Sequence, residues 1–370
     1  MRKSLYLAAG VSVAMVALAT TVPADATGGR PGGLAAKGVP PPSFKVVASG
    51  LNNPRQLNFS KSGKLYVAEA GTGGSSDCRP GAEGGNVCWG PTGSVTVVAN
   101  GNQKRLVTGL PSYAGELDSS AALGPADVVP YKGKLAISIG YGFEPASRDG
   151  LAKPGNRFGQ VVRFDLGSKK LGKVGDLLAF EGKHNPIHDP NSDPTGLFKW
   201  GSTWYATDSG ANDLLRIHKG KVRLVKVFRD EDTSAGKVQS VPTDVAVGPD
   251  GALYVCELTG FPFVKGAAKI YRIVPGHKAH VYANHLTNVT SIAFGKDGKL
   301  YAVQISNEGL QSGPTGSLWR VFSKKSGKKA KNLTGDLFAP YGVAIKGHNA
   351  YVSQGAVAPG VGSVIKVPLG

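Results

Sequence analysis

Six segments of the chain share one pattern, and this repeat constrains the fold more than any other feature of the sequence. Each segment has a turn, usually with proline, then a short apolar strand, a second turn, and a strand of the type LYV that ends in a polar residue. The spacings between successive segments are 70, 69, 49, 47 and 50 residues. A period of about 40 to 50 residues with four strands per unit is typical of a β-propeller. The aligned positions are Leu65, Leu135, Trp204, Leu253, Leu300 and Ala350.

Third and fourth strands can be placed after each pair, except at the end of repeat 6, where the chain stops one strand short. The fourth strands include KVGDLLAF at 173–180 and KAKNLTGDL at 329–337. The segment SFKVVASGL at 43–51 resembles these fourth strands, so we predict that it completes the last unit and covers its edge. The predicted fold is all-β: a single six-bladed β-propeller over residues 43–370, with four-stranded blades and the last blade closed by the N-terminal strand. No sustained apolar period of 3.6 residues follows residue 26, so helices should be scarce.

Residues 1–26 have the features of a secretory signal peptide. Arg2 and Lys3 precede an apolar stretch, and the small residues Ala24 and Ala26 frame a cleavage-like end. A membrane anchor is the alternative interpretation, because the apolar stretch is near the minimum length that spans a bilayer. We expect cleavage, a secreted and monomeric protein, and a flexible Gly- and Pro-rich lead over residues 27–42.

The chain is strongly basic, with a formal net charge of +18. For an exported protein, this charge favours an anionic cell-wall polymer or another protein as the partner rather than nucleic acid. A solvated basic surface that only maintains solubility is the alternative. The densest basic run, SKKSGKKAK at 323–331, is predicted to be an exposed hairpin loop.

The three cysteines are expected to have different roles. Cys78 and Cys88 lie in one glycine-rich insertion of repeat 1, and in an exported protein their proximity predicts a disulfide. Cys256 lies beside Glu257, which raises the possibility of a nucleophile. However, the other repeats have Ala68, Ser138, Thr207, Val303 and Ser353 at this position, so Cys256 is predicted to be a small buried residue.

Two sets of polar residues recur at fixed positions of the repeat. The position after the small residue holds Glu69, Ile139, Asp208, Glu257, Gln304 and Gln354, and the second position after the first turn holds Gln56, Asp127, Gly196, Asp244, Ser291 and Gly342. We expect both sets to meet at one end of a central channel. They could accept backbone N–H groups in a structural role, or bind a ligand.

The carboxylates of these two sets offer oxygen ligands, which favour a hard cation such as calcium. The candidates are Glu69, Asp208, Asp244 and Glu257. A second calcium hypothesis concerns the spacing of Asp189, Asn191 and Asp193, although Pro194 and Trp200 replace the glycine and glutamate of a calcium loop. Established catalytic motifs are absent from the sequence, which argues against a hydrolytic triad.

The segments GLNNPRQLNF, DPNSDPTGLF, VPTDVAVGPDGALYVCELTGFPF and GSLWRV resemble the ScyD/ScyE family, known by association with scytonemin biosynthesis in cyanobacteria. The resemblance covers nearly all of the chain after residue 42 and implies an exported propeller; it carries no catalytic residues. The predicted ligand-binding residues are Glu69, Asp127, Asp208, Asp244, Glu257, Gln304, Gln354 and, from the NPRQL segment, Arg55.

From these observations we expect a ligand-binding or interaction module of the cell envelope or the extracellular space. The alternative is an enzyme that uses the polar channel face, either a metal-dependent lactonase or hydrolase or a quinoprotein sugar dehydrogenase.

Overall fold

The computed structural model describes residues 44–81 and 84–369. The predicted signal peptide and the predicted lead lie outside the described residues. Strands predominate, which confirms the all-β prediction. Within the described ranges, no helix is long and apolar enough to cross a membrane.

Repeats 1 to 3 each form an antiparallel sheet, here called sheets 1 to 3. Sheet 1 consists of β2 (Pro54–Phe59), β3 (Leu65–Glu69), β4 (Ser76–Pro80), β5 (Asn86–Ala99) and β6 (Asn102–Gly115). Sheet 2 consists of β7 (Pro125–Tyr131), β8 (Lys134–Ile139), β9 (Gln160–Asp165) and β10 (Leu171–Asp176). Sheet 3 consists of β11 (Pro194–Trp200), β12 (Thr203–Asp208), β13 (Asp213–His218) and β14 (Lys221–Val227).

Repeats 4 to 6 form sheets 4 to 6 in the same way. Sheet 4 consists of β17 (Pro242–Val247), β18 (Leu253–Glu257), β19 (Ala268–Ile273) and β20 (His280–Leu286). Sheet 5 consists of β21 (Val289–Phe294), β22 (Leu300–Gln304), β23 (Thr315–Val321), β24 (Lys331–Asn332) and β25 (Leu337–Phe338). Sheet 6 consists of β26 (Val343–Lys346), β27 (Asn349–Gln354), β28 (Gly362–Pro368) and β1 (Lys45–Leu51). The remaining elements are the hairpin of β15 (Glu231–Thr233) and β16 (Gly236–Val238), the helix α1 (Leu177–His184), and short 3-10 turns at Pro145–Arg148, Gly155–Arg157, Leu310–Ser312 and Lys324–Ser326.

The N-terminal strand β1 lies at the edge of sheet 6, next to the last strand of the chain. It pairs antiparallel with β28, where Lys45 lies opposite Lys366 and Leu51 opposite Gly362. Leu51 is buried. Residues from the two ends of the described chain therefore belong to one sheet.

Two of the predicted fourth strands are wrong in extent. The strand predicted over 173–180 ends at Asp176, and α1 follows because the Asp176 side chain accepts a hydrogen bond from Ala179 N at 3.0 Å and caps the helix. The strand predicted over 329–337 is reduced to the two-residue strands β24 and β25, between which the Asn332 side chain holds a turn by accepting Thr334 N and Gly335 N.

The insertion of repeat 1 is not a plain loop. Its residues pair as β4 against β5, which is 14 residues long and continues far past the length of the other third strands. The predicted disulfide is confirmed: Cys78 of β4 is bonded to Cys88 of β5.

The first strands of the six sheets contact one another in chain order, β2 with β7, then β11, β17, β21 and β26, and β26 also contacts β2. We call the line that these strands surround the axis. Apolar clusters fill the spaces between neighbouring sheets. Tyr66 and Val128, for example, belong to the cluster between sheets 1 and 2, and Tyr254 and Ile292 to the cluster between sheets 4 and 5. The polar residues of the first strands therefore lie nearest the axis, and the later strands of each sheet lie farther from it.

Candidate functional site

Glu69, at the end of β3, is fully engaged by protein groups. Its carboxylate accepts hydrogen bonds from Asn52 N at 2.8 Å and Thr96 Oγ1 at 2.6 Å. It also forms an ion pair with Arg105 Nη2 of β6 at 2.9 Å. The carboxylate therefore binds groups of β5, of β6 and of the segment just before β2.

Asp208 and Gln304 make the equivalent bonds in repeats 3 and 5. Asp208 Oδ1 accepts Asp193 N at 2.6 Å, and Gln304 Oε1 accepts Thr287 N at 2.8 Å. In each repeat the acceptor therefore ties the end of the second strand to the segment just before the first strand. This is the structural role that backbone-accepting side chains commonly play at strand ends.

Glu257 and Gln354 occupy the same position with fewer bonds. Glu257 Oε2 accepts Ser240 Oγ at 3.0 Å, while its Oε1 is buried with no hydrogen-bond partner within the described structure. Burial raises the pKa of Glu257 to about 8. Gln354 Nε2 donates to Ser363 Oγ at 3.1 Å, within its own sheet.

Asp127 and Asp244, from the second polar set, join neighbouring sheets near the axis. Asp127 Oδ2 accepts Leu197 N of sheet 3 at 2.8 Å, and Asp244 Oδ2 accepts Ile292 N of sheet 5 at 2.9 Å. Asp127 Oδ1 also accepts Asn58 Nδ2 of sheet 1 at 2.9 Å. Burial and then the charge of Asp244 raise the pKa of Asp127 well above its usual range, and burial raises the pKa of Asp244 to about 7. The two carboxyl groups are thus close together, and their oxygens serve the backbone of adjacent sheets.

Other members of this set leave little space between the first strands around the axis. Gln56 Nε2 of β2 donates to Thr290 O of β21 at 2.7 Å, and because β26 lies between these strands in the order of contacts, the bond joins sheets 1 and 5 past sheet 6. At Gly196 and Gly342, a Cβ atom would lie within 2.5 Å of Asp244 Cα and within 2.7 Å of a backbone oxygen, respectively. Larger side chains would therefore collide with the next first strand.

The four predicted calcium ligands do not form one site. Among residues 44–81 and 84–369, the one group of at least three His, Cys, Asp or Glu side chains whose ligand atoms lie within 4.8 Å of one another consists of Cys78, Cys88 and Glu116. Its cysteines are already joined in a disulfide, so they are not available to a metal. The predicted group of Glu69, Asp208, Asp244 and Glu257 is not brought together. These carboxyls are spread over sheets 1, 3 and 4, and the two in sheet 4, Asp244 and Glu257, accept hydrogen bonds from different segments.

Arg55 closes one end of the axis. Its guanidinium is buried and donates to the carbonyls of Ala122 (2.7 Å) and Ala356, which belong to loops before sheet 2 and after β27. It lies 4.9 Å from the ring centroid of Tyr341. Burial and then the charge of Asp208 raise the pKa of the neighbouring Asp193 to about 7.

A cavity of only about 20 Å³ is left beside Arg55, lined by Asp193, Thr195, Thr243 and Tyr341 among others. Such a volume accommodates roughly one water molecule. The axial residues therefore form a packed plug rather than a pocket for a sugar or a lactone. No sequence pattern indicates this plug, because the partners of Arg55 are carbonyls that lie 67 and 301 residues away from it along the chain.

A groove of about 1010 Å³ lies between the outer strands of sheets 4 and 5. One wall is formed by residues 283–287 in and after β20, and the other by β23 and residues 322–330. The groove exists because the fourth strand of sheet 5 is only two residues long and leaves space next to β20. We call it the lateral groove.

The lateral groove combines cations with aromatic, amide and acidic groups; the acids are Glu308, which is paired with Lys265, and Asp336. Lys324, Lys328 and Lys329 line it, are exposed, and form no ion pair with the described residues. Lys328 Nζ lies 5.8 Å from the ring centroid of Phe322. Trp319 also lines the groove, and its Nε1 is buried with no acceptor among the described residues.

Two groups of groove residues were singled out in the sequence. Gln304, predicted on the channel face, lines this groove. The lysine run, predicted to be an exposed hairpin loop, includes a 3-10 turn at Lys324–Ser326 that contacts β20. The signal that could have revealed the groove is the irregular fourth strand of repeat 5 next to this run.

A second, smaller basic depression lies on sheet 3. It has a volume of about 360 Å³ and is lined by Thr203, Arg216, His218, Lys221 and Arg223. It lacks a Phe, Tyr or Trp among these lining groups, and it provides an internal comparison for the lateral groove.

No protein-family model matches the sequence, and no curated protein matches it either. Among solved structures, the chain is similar to a calcium-binding protein, regucalcin, from Agrobacterium tumefaciens, with 11% identity, a TM-score of 0.51, and coverage of 89% of this chain and 95% of that one. It is also similar to a putative oxidoreductase (glucose dehydrogenase) from Thermus thermophilus, with 16% identity, a TM-score of 0.51, and coverage of 88% and 99%. Virginiamycin B lyase from Staphylococcus aureus matches with 12% identity and a TM-score of 0.49 over 88% of this chain and 99% of that one.

At these identities the similarity concerns the fold alone. It agrees with the repeated four-stranded sheets and confirms a propeller-type architecture.

Proposed function

We propose that this chain is an exported, ScyD/ScyE-like six-bladed β-propeller that acts as a binding module, and that its ligand is an anionic polymer of the cell envelope bound in the lateral groove. The order of contacts among the first strands, from β2 through β26 and back to β2, supports six blades in a closed ring. The pairing of β1 with β28 supports closure of the last blade by the N-terminal strand.

Export is supported by two independent features. The sequence of residues 1–26 has the pattern of a signal peptide, and a disulfide between Cys78 and Cys88 is compatible with an oxidising compartment. The ScyD/ScyE resemblance rests on the quoted motifs, including NPRQL, whose Arg55 forms the buried plug.

The observation that carries the binding role is the lateral groove. Three unpaired lysines along one wall suit a repeating anion such as a phosphate- or carboxylate-bearing polymer, because Lys binds phosphate and carboxylate as a point charge. The Phe322 ring, which also lines the groove, offers an apolar surface to the ligand. The volume is within the range of ligand-binding clefts. By contrast, the axial cavity is too small for the substrates of the enzymatic alternative.

The test is binding of a fluorescently labelled anionic polysaccharide to the purified protein, with a neutral dextran as the reference. The variant K324E/K328E/K329E should lose at least about tenfold in affinity, and its remaining binding should depend less on salt. The matched control is R216E/K221E/R223E, which changes the net charge by the same amount in the sheet 3 depression and should retain binding.

Equal losses in the two triple variants would mean that the overall charge, not the groove, attracts the polymer. Absence of binding by the unmodified protein would also overturn the proposal.

A further inference from the structure

Three acidic side chains are buried together where α1 packs against sheet 3. Asp208 ends β12, Asp213 begins β13, and Glu181 lies on the second turn of α1. All three are almost fully inaccessible to solvent. None of them forms an ion pair with a basic side chain of the described chain. Buried carboxylates without a base are rare, because the charged form loses its hydration and gains no counterion.

Asp208 and Asp213 face each other across a hairpin. They are directly opposite in the β12–β13 ladder, so their side chains project on the same side of the sheet. Asp208 is satisfied by Ser192 Oγ at 2.5 Å and by Asp193 N at 2.6 Å. Asp213 is not satisfied: both of its carboxyl oxygens are buried and have no partner within the described structure.

Glu181 approaches the same pair from the helix. Its Oε2 accepts Asn185 Nδ2 at 2.8 Å, and its Oε1 is buried and has no partner in the part of the chain described. The pKa of Asp213 is raised well above its usual range. Burial is the largest cause, and the charges of Glu181 and Asp208 follow. The charges of Glu181 and Asp208 thus both disfavour ionisation of Asp213.

A neutral oxygen lies on the loop beside them. Asn191 Oδ1 is buried without a hydrogen-bond partner among the described residues. A Cβ at Gly210, in the β12–β13 turn, would be 2.7 Å from this oxygen. The glycine thus lets the Asn191 amide approach the turn that connects Asp208 to Asp213.

We propose that Glu181, Asp208 and Asp213 bind a hard divalent cation, with Ca²⁺ as the preferred ion and Asn191 as a neighbouring oxygen ligand. The unused acceptors are all oxygens, which hard cations prefer over nitrogen or sulfur ligands. A bound cation would supply the missing counter-charge and would engage the oxygens that the protein leaves without a donor. Because the ligand oxygens of the three acids are not all within 4.8 Å of one another, binding requires a side-chain rotation of Asp213 or Glu181 toward Asp208.

This site differs from the two predicted calcium groups, although it includes Asp208 from the first and Asn191 from the second. Its remaining members, Glu181 and Asp213, come from α1 and the start of β13. It shares no residue with the lateral groove. A failure of the cation proposal therefore leaves the polymer proposal untouched, and the reverse also holds.

The first measurement is direct. The protein is dialysed against a chelator and titrated with CaCl₂ by isothermal titration calorimetry, with MgCl₂ and ZnCl₂ as comparison ions, and its thermal midpoint is recorded with and without Ca²⁺. We expect saturable binding of one Ca²⁺ per chain and a higher midpoint with Ca²⁺. No heat of binding and no shift with any of the ions would overturn the proposal without any variant being needed.

The variants locate the ion. D213N and E181Q should each weaken Ca²⁺ binding by at least about tenfold, the smallest loss usual even for groups that only support a metal ligand. E257Q is the matched control, because Glu257 is also a buried acid with one unpartnered oxygen, but it lies in sheet 4 and is not one of the three acids of the proposed site. Unchanged Ca²⁺ affinity in D213N and E181Q, or an equal loss in E257Q, would contradict this location. If D213N fails to fold, the Ca²⁺ affinity of E181Q, in which the change lies on the short helix α1, tests the location.

Discussion

Glu257 shows how a single buried acid can make stability depend on pH. Burial raises its pKa from an ordinary 4.5 to about 8, because the hydrogen bonds that it accepts, from Ser240 Oγ among others, offset the loss of hydration only in part. The proton is therefore held more tightly in the folded state than in the unfolded state. Such a group does not oppose folding below pH 4.5, and its penalty grows as the pH rises and is complete above about 8.

We predict that E257Q and the unmodified protein have similar stabilities near pH 4.5, and that the variant becomes more stable by a few kcal/mol toward pH 9. The glutamine keeps an acceptor for Ser240 but cannot ionise. Urea unfolding at several pH values measures the difference between the two proteins. A difference that does not change with pH would mean that Glu257 is not held in its neutral form.

Cys256 lies beside this acid and is expected to be inert. Burial raises the pKa of its thiol well above the usual range, and Thr243 Oγ1 lies 3.4 Å from the sulfur. Only the thiolate reacts readily with disulfide reagents. We predict no reaction with a chromogenic disulfide in the native protein and one thiol per chain after denaturation. Rapid labelling of the native protein would contradict the role of Cys256 as a buried packing residue.

At the residue scale, the repeat identified the right positions but not their partners. Aligning the segments grouped Glu69, Asp208 and Gln304, and the structure gives these three the same structural task. What each carboxylate binds depends on segments distant in sequence, such as Arg105 of β6 for Glu69. No local pattern reports those contacts. The sequence therefore could not distinguish polar side chains that converge on the axis from side chains that each bind a separate backbone segment.

At the level of elements, the disulfide of the first sheet allows a quantitative expectation. Cys78 and Cys88 are ten residues apart and join β4 to β5 at the far end of the long hairpin. Closing a loop of this length restricts the unfolded chain by about 2 to 3 kcal/mol in the chain-entropy model.

We predict that C78S/C88S lowers the free energy of unfolding by about this amount and leaves the fold intact. Addition of a reductant should lower the thermal midpoint of the unmodified protein and leave that of the double variant unchanged. A drop in the double variant on reduction would point to a second redox-sensitive group, because Cys256 is the only other cysteine in the sequence.

Most strands were predictable because alternating apolar residues between turns give a strong local signal. The exceptions have local causes that compete with that signal. LLAF at 177–180 is apolar enough for a strand, but Asp176 caps a helix there. In 329–337 the lysines and the Asn332 turn leave no continuous partner for β23 beyond two residues. That failure of regular pairing is what produces the lateral groove, so the sequence was least informative where the proposed ligand binds.

At the scale of the whole molecule, β1 is expected to hold the fold together. It covers the edge of β28 and buries Leu51, which alone contributes roughly 2 kcal/mol by burial. We predict that a chain beginning at residue 44 unfolds cooperatively, whereas a chain beginning at residue 52 loses several kcal/mol of stability and aggregates through the uncovered edge.

Thermal unfolding and size-exclusion chromatography of the two truncated chains measure this difference. Equal midpoints and equal elution volumes would show that the sixth sheet is stable without its N-terminal strand.

The same pairing determines how the molecule responds to mechanical load. Lys45 at the start of β1 lies opposite Lys366 near the end of β28, so a force pulling these two positions apart acts across the ladder rather than along it. The hydrogen bonds between the two strands then break one after another, as in a zipper. Single-molecule pulling between residues 45 and 366 should therefore release β1 at a low force before any other sheet yields.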